Sequence, residues 1–144
     1  MATDPTAPSI YPTLRYDDAP AAIAFLRDTL GLRAESVTED PDGKVLHATL
    51  AWGNGLIMVS SRFSAEDTFD TSRACLYLAI GDPDAHHARA LAAGAEVVMG
   101  LTDQPYGSRE FAVRDAEGMV WCFGTYQPAV TGVTAEPTVM AAPE

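Results

Sequence analysis

The sequence predicts an α+β protein built from two copies of one βαβββ module. Helix and turn signals recur at a near-constant offset: Asp18 to Asp82 is 64 residues, Gly31 to Gly94 is 63 and Gly55 to Gly118 is 63. Each copy also carries the same order of signals, an apolar run, an acidic helix start, a glycine stop and further strand-like runs divided by Gly turns. A period above about 50 residues in only two copies is that of a paired module and not of a solenoid. The 144 residues leave little room for a second independent core. An apolar share of 47% and a charged share of 20% are those of a globular chain.

The first module is expected over residues 10–60. It opens on a strand over 10–16, followed by Asp17-Asp18 and Ala19-Pro20. An Asp carboxylate caps the free N–H groups of a first helical turn, and Pro needs no donor there. Ala22, Ile23, Leu26 and Leu30 follow at helical spacing, and Gly31 supplies the stop. Strands are expected over 32–38, 45–52 and 56–60. Asp42-Gly43 and Asn54-Gly55, both favoured in tight hairpins, lie between them.

The second module, residues 74–126, repeats this order. A strand over 75–80 leads to Asp82-Pro83 and a helix whose apolar positions are Ala85, Ala88, Leu91 and Ala92, stopped by Gly94. Strands over 96–101, 109–114 and 120–126 complete it, with Glu117-Gly118 in the last hairpin. The segment 102–109 reads as a long loop that is either a lid, with Tyr106 and Arg109 closing over the cavity, or a plain exposed turn. A polar connector, 61–73, joins the modules. Segments 1–9 and 127–144, rich in Pro, Thr and Ala, read as extended tails.

A formal net charge of −11 repels phosphate backbones, so neither nucleic acid nor anionic membrane is expected as a partner. Apolar runs such as 76–80 are strand-sized, and the first residues show no basic and apolar leader, so a cytoplasmic protein is expected. Cys75 and Cys122 form no C-x-x-C pair, which argues against a zinc finger or a thioredoxin-type site.

Strand alternation divides the side chains between a helix-facing layer and a concave face. Tyr11, Thr13 and Arg15 are expected on the concave face of the first strand, and Met58 and Ser60 on that of the fourth. Cys75 and Tyr77 join from the fifth strand, Cys122 from the eighth. His47 and Thr49 belong there if Leu46, Ala48 and Leu50 face the helices, and repeat equivalence adds Glu110 and Arg114. The surface so formed is aromatic and apolar with few polar groups, the composition of a small-molecule site. Pairing of Arg15, Glu110 and Arg114 with one another at the sheet rim is the plainer alternative for those three. His86 and His87 are adjacent on a helix, about 100° apart, and read as a solvated face.

Three segments carry a family resemblance. They are Tyr11-Pro12-Thr13-Leu14-Arg15-Tyr16 before Asp17-Asp18-Ala19, His47-Ala48-Thr49-Leu50 before a Gly hairpin, and Val113-Arg114-Asp115-Ala116-Glu117-Gly118 before Trp121. With two βαβββ modules, they resemble the vicinal oxygen chelate superfamily of glyoxalase I, extradiol dioxygenases and bleomycin-resistance proteins. The resemblance covers about residues 10–126 and implies curled mixed sheets around a cavity. It also implies two-fold homodimers in which module one of one chain faces module two of the other.

In that superfamily four side chains on the outer strands of the modules hold one divalent metal. The matching positions here are Tyr11, Met58, Cys75 and Cys122, and both Tyr11–Cys75 and Met58–Cys122 are 64 apart. A thioether and a neutral phenol are poor ligands for Fe, Mn, Ni or Zn. The chain therefore resembles the metal-ligand-poor, bleomycin-resistance-like branch, with neither metal nor cofactor expected. Cys75 and Cys122 are expected as small buried hydrophobes facing each other across adjacent strands.

Two functions stay open. One is metal-free binding of a small molecule, with a cationic ligand suiting the charge. The other is a lyase- or isomerase-type enzyme that uses a divergent metal site or acid–base chemistry by His47, Tyr11 or Glu110.

Overall fold

The structure, a computed structural model, describes residues 6–8 and 10–129. The element order is β1 (Thr13–Tyr16), α1 (Ala19–Phe25), β2 (Arg33–Glu39), β3 (Val45–Trp52), β4 (Gly55–Ser61), β5 (Cys75–Ala79), α2 (Pro83–Ala92), β6 (Glu96–Asp103), β7 (Arg109–Arg114) and β8 (Val120–Gly124). Two four-stranded sheets result, in the orders β1-β4-β3-β2 and β5-β8-β7-β6. The first and last strands of each module run parallel and the other pairs antiparallel, so the repeat read from the sequence is a repeat of topology. Most of the segments expected as tails, 1–5, 9 and 130–144, lie outside the described residues. Among the described residues no helix is long and apolar enough to cross a membrane.

The helix starts form as their residues dictate. Asp18 accepts from the Ala21 N–H at 3.1 Å, and Asp82 from the Ala85 N–H at 3.1 Å. α1 continues as a π-helical turn, Leu26–Leu30, and stops at Gly31. Three hairpins share one turn: Gly43 donates to Asp40, Gly107 to Gln104 and Gly118 to Asp115, each glycine with φ between 83° and 93°. That left-handed backbone is why glycine stands there.

Several expectations give way. The β3–β4 turn is made by Gly53-Asn54, because Gly55 still pairs with Trp52. β1 begins only at Thr13. Segment 102–109 is no long loop, since β6 runs to Asp103 and β7 starts at Arg109. Leu46 is 51% exposed because Thr38 pairs with His47 and Glu39 with Val45, leaving Leu46 bulged out of the ladder. On α2 the face is rotated. Pro83 and Ala90 are buried and His86 and His87 half-buried, whereas Ala85, Ala88, Leu91 and Ala92 are exposed. His86 packs against Trp52 and Phe123 at 5.6 and 6.3 Å, and His87 against Phe111 at 5.3 Å.

One core joins the modules. Tyr16, Leu26 and Leu50 of the first module and Phe111, Trp121 and Phe123 of the second belong to a single buried cluster. Asp115 crosses between them, accepting from the Tyr16 hydroxyl at 2.6 Å and the Trp121 indole N–H at 3.1 Å. Glu117 accepts from the backbone N–H groups of Asp17 and Asp18 at 2.7 and 2.9 Å. The Trp52 indole donates to the Ala79 carbonyl at 2.9 Å. With the helix-facing sides merged, the opposite face of each sheet is left open.

Candidate functional site

The open face of the second sheet is assembled by register. Cys75 pairs with Val120, Tyr77 with Cys122 and Ala79 with Gly124, and on β7 Glu110 pairs with Gly124, Ala112 with Cys122 and Arg114 with Val120. These side chains therefore share one side. Tyr106, from the β6–β7 turn, and Tyr126, past the end of β8, stand over them. Cys75, Tyr77, Tyr106, Glu110, Cys122 and Tyr126 line an open concavity of 660 Å³.

Hydrogen bonds hold this arrangement. The Tyr106 hydroxyl lies 3.0 Å from both Glu110 carboxylate oxygens, and the Gln104 amide donates to one of them at 3.2 Å. Tyr77 donates to the Tyr126 carbonyl at 2.8 Å, and the Tyr126 N–H donates to buried Ser108 at 3.1 Å. The rings of Tyr106 and Tyr126 meet edge to face, centroids 5.9 Å apart and planes at 75°. Desolvation, and then the hydrogen bond to Glu110, raise the Tyr106 phenol above its ordinary range. Burial, followed by the charges of Glu110 and Cys75, pushes the Cys122 thiol up to about 11.

The two cysteines share this face but do not oppose each other. Tyr77 stands across from Cys122, and Cys75 is displaced by one alternation. Both are free, and Cys75 is exposed where a buried residue was expected. Arg109 leaves the site: with Phe111 and Val113 it faces the helices, pairing with Asp84 and Asp103 at 3.0 Å each. Arg114 stays on the site side, bound to Glu96 at 3.2 Å. Arg15, Glu110 and Arg114 are not bonded to one another.

The other predicted residues lie on the first sheet. Thr13 and Thr49 both pair with Met58, and Arg15 pairs with Ser60. Arg15 is held by Asp67 of the connector at 3.0 Å and donates to the Thr13 hydroxyl at 3.0 Å. His47 is exposed beside the bulge. Tyr11 lies before β1, since Pro12 has no N–H to extend the ladder and contributes only its carbonyl, 2.9 Å from the Met58 N–H.

The four positions matched to the superfamily's metal ligands do not fit such a metal. A phenol outside the strand, a thioether and two thiols supply none of the imidazole or carboxylate donors that hold Fe, Mn or Ni. Among the described residues no group of three or more His, Cys, Asp or Glu side chains is placed to hold an ion. Tyr126 and Gln104 were not anticipated. The alternation of Val120, Cys122 and Gly124 carried on two residues reaches Tyr126, whereas nothing local marks Gln104. A second hollow of 440 Å³ lies at the seam of the modules, between Ile10, Trp52, Asn54, Leu76, Leu78 and Gln127.

Comparison with known proteins agrees with this architecture. The family model described as Glyoxalase/Bleomycin resistance protein/Dioxygenase superfamily matches residues 9–123. An uncharacterized protein of Mycobacterium tuberculosis (strain ATCC 25618 / H37Rv) is 31% identical over 125 residues, which cover 81% of this chain and 74% of that one. Among solved structures, TioX from Micromonospora sp. ML1 superposes with a TM-score of 0.64 at 30% identity, over 81% of this chain and 98% of that chain. A bleomycin-binding protein from bleomycin-producing Streptomyces verticillus, complexed with copper(II)-bleomycin, gives a TM-score of 0.54 at 27% identity over 79% and 92%.

Proposed function

From the chain's membership of the Glyoxalase/Bleomycin resistance protein/Dioxygenase superfamily, we propose that it binds a small organic molecule, without a resident metal, on the concave face of its second module. The observation that carries this reading is the 660 Å³ concavity, with three tyrosines and a single carboxylate in its lining. Aromatic walls with one or two fixed polar groups orient a ligand and give it contact area. The similarity to a bleomycin-binding protein supports a binding role. Two free thiols suit a reducing compartment such as the cytoplasm.

An acid–base enzyme finds less support. Glu110 is already hydrogen-bonded by Tyr106 and Gln104, and His47 is exposed beside the bulge of β3. Tyr11 belongs to neither ladder.

The concave faces leave Tyr77 at 41%, Tyr106 at 60% and Tyr126 at 52% exposure. A second copy, its first module set against the second module of this one, would cover them, so we propose a two-fold homodimer. Light scattering at micromolar concentration tests this, and a monomer would refute it.

Binding is tested by a thermal-shift screen followed by calorimetry on Tyr77→Ala and Arg15→Ala. Tyr77→Ala is expected to weaken a hit by about 1–2 kcal/mol. Arg15, tied to Asp67, is expected to matter less. Catalytic turnover of a hit, or affinity indifferent to Tyr77, would count against the proposal.

A further inference from the structure

Glu110 is an anion without a counter-ion. It is 5% exposed, yet among the described residues it forms no ion pair. The arginines nearest in sequence are engaged elsewhere, Arg109 by Asp84 and Asp103 on the other side of β7 and Arg114 by Glu96. Its hydrogen bonds come from neutral donors, the Tyr106 hydroxyl and the Gln104 amide. A desolvated carboxylate with only neutral partners keeps an attraction for positive charge that nothing in the site cancels.

The walls above it favour the same sign. Tyr77, Tyr106 and Tyr126 line the opening around Glu110. Two of the rings stand at 75° to each other and so offer surface in two directions. Aromatic faces attract cations electrostatically, most strongly where water is excluded. The net charge of −11 adds a long-range field of the same sense.

Hydrogen-bonding capacity narrows the class further. Tyr77 spends its hydroxyl proton on the Tyr126 carbonyl, and Tyr106 and Gln104 already occupy Glu110. A protonated amine would have to compete with those donors for Glu110, whereas an alkylated ammonium needs no acceptor and brings apolar surface to apolar walls. Resting on the binding reading above, we propose that the concavity takes an organic cation of the quaternary ammonium class. Its charged head sits above Glu110, among the rings of Tyr77, Tyr106 and Tyr126.

The test titrates the full-length protein with choline and with its neutral isostere, 3,3-dimethyl-1-butanol, followed by NMR shifts of residues lining the concavity. Choline is expected to bind at least ten-fold more tightly than the alcohol. Glu110→Gln, which keeps an acceptor for Tyr106, is expected to erase that preference, and Tyr126→Leu, at an exposed position, to weaken choline several-fold. Equal binding of the two compounds would overturn the cation and leave small-molecule binding standing. So would silence with both probes while neutral screening hits shift the same resonances. A preference for choline that survives both substitutions would also overturn it. If no compound of any kind perturbs the concavity, both readings fall together.

Discussion

Tyr77 and Glu110 converge over the bare backbone of Gly124. A Cβ on that residue would lie 2.5 Å from the Tyr77 hydroxyl oxygen and 2.6 Å from Glu110 Cγ. The glycine thus admits an aromatic group and a carboxylate to one spot on the sheet.

Gly124→Ala should therefore spoil the site. Glu110 Cγ is no flexible tip, and the Tyr77 hydroxyl is tied to Tyr126. Overpacking of this kind costs about 1–3 kcal/mol. Chemical denaturation should register that loss, and ligand affinity should fall at least ten-fold. An alanine variant of unchanged stability and affinity would refute the convergence.

The two thiols should differ in reactivity. Cys75 is exposed, while the Cys122 thiol is pushed up to about 11 from a usual 9.0. Iodoacetamide followed by peptide mass spectrometry should find Cys75 modified first at neutral pH. Between pH 9 and 11 the unfolded thiol has already lost its proton and the folded one has not. Stability must then fall as pH rises through that window, and Cys122→Ser should remove that part of the fall. Faster labelling of Cys122 than of Cys75 would contradict this.

Asp115→Ala should be the most damaging of these substitutions. The buried carboxylate accepts from Tyr16, from Trp121 and from the backbone N–H groups of Glu117 and Met119. Its removal orphans buried donors and should cost about 3–5 kcal/mol in urea unfolding. A loss below about 1 kcal/mol would show that Asp115 does not hold the modules together.

His86→Ala, though on a helix surface by sequence, should destabilise the fold. The ring stacks against Phe123 and meets the edge of Trp52. A loss of about 1–2 kcal/mol is expected, whereas Ala88→Ser, at an exposed position, should leave the denaturation midpoint unchanged.

How far the sequence could be read depended on which period governed each element. In α1, Ala22, Ile23 and Leu26 sit on the buried face as their spacing required. In α2, apolarity pointed to Ala85, Ala88 and Leu91, but alanine is too weakly apolar to set a face. The repeat held the better answer: 64 residues beyond Ala22, Ile23 and Leu26 lie His86, His87 and Ala90, the inward positions of α2. In the strands, alternation put Tyr77, Cys122 and Glu110 on one face as expected. It failed at Leu46, where a bulge breaks the period; Arg109, read as part of a lid, lies where alternation from Glu110 turns it, toward the helices. The stagger of Cys75 against Cys122 was not legible, because the register of a parallel pair depends on non-local packing. Similarly, the recruitment of Asp67 by Arg15 spans 52 residues and leaves no local trace.

The bond from Tyr16 to Asp115 spans 99 positions of the chain. At a synthesis rate of about 5–20 residues per second, Tyr16 leaves the ribosome roughly 5–20 s before its partner exists. Until then the interior of the first module lacks Trp121 and Phe123, which share its buried cluster in the folded chain. Native packing of the amino-terminal half must await the carboxy-terminal half. The nascent chain thus passes through an interval in which Tyr16 has no Asp115 to donate to.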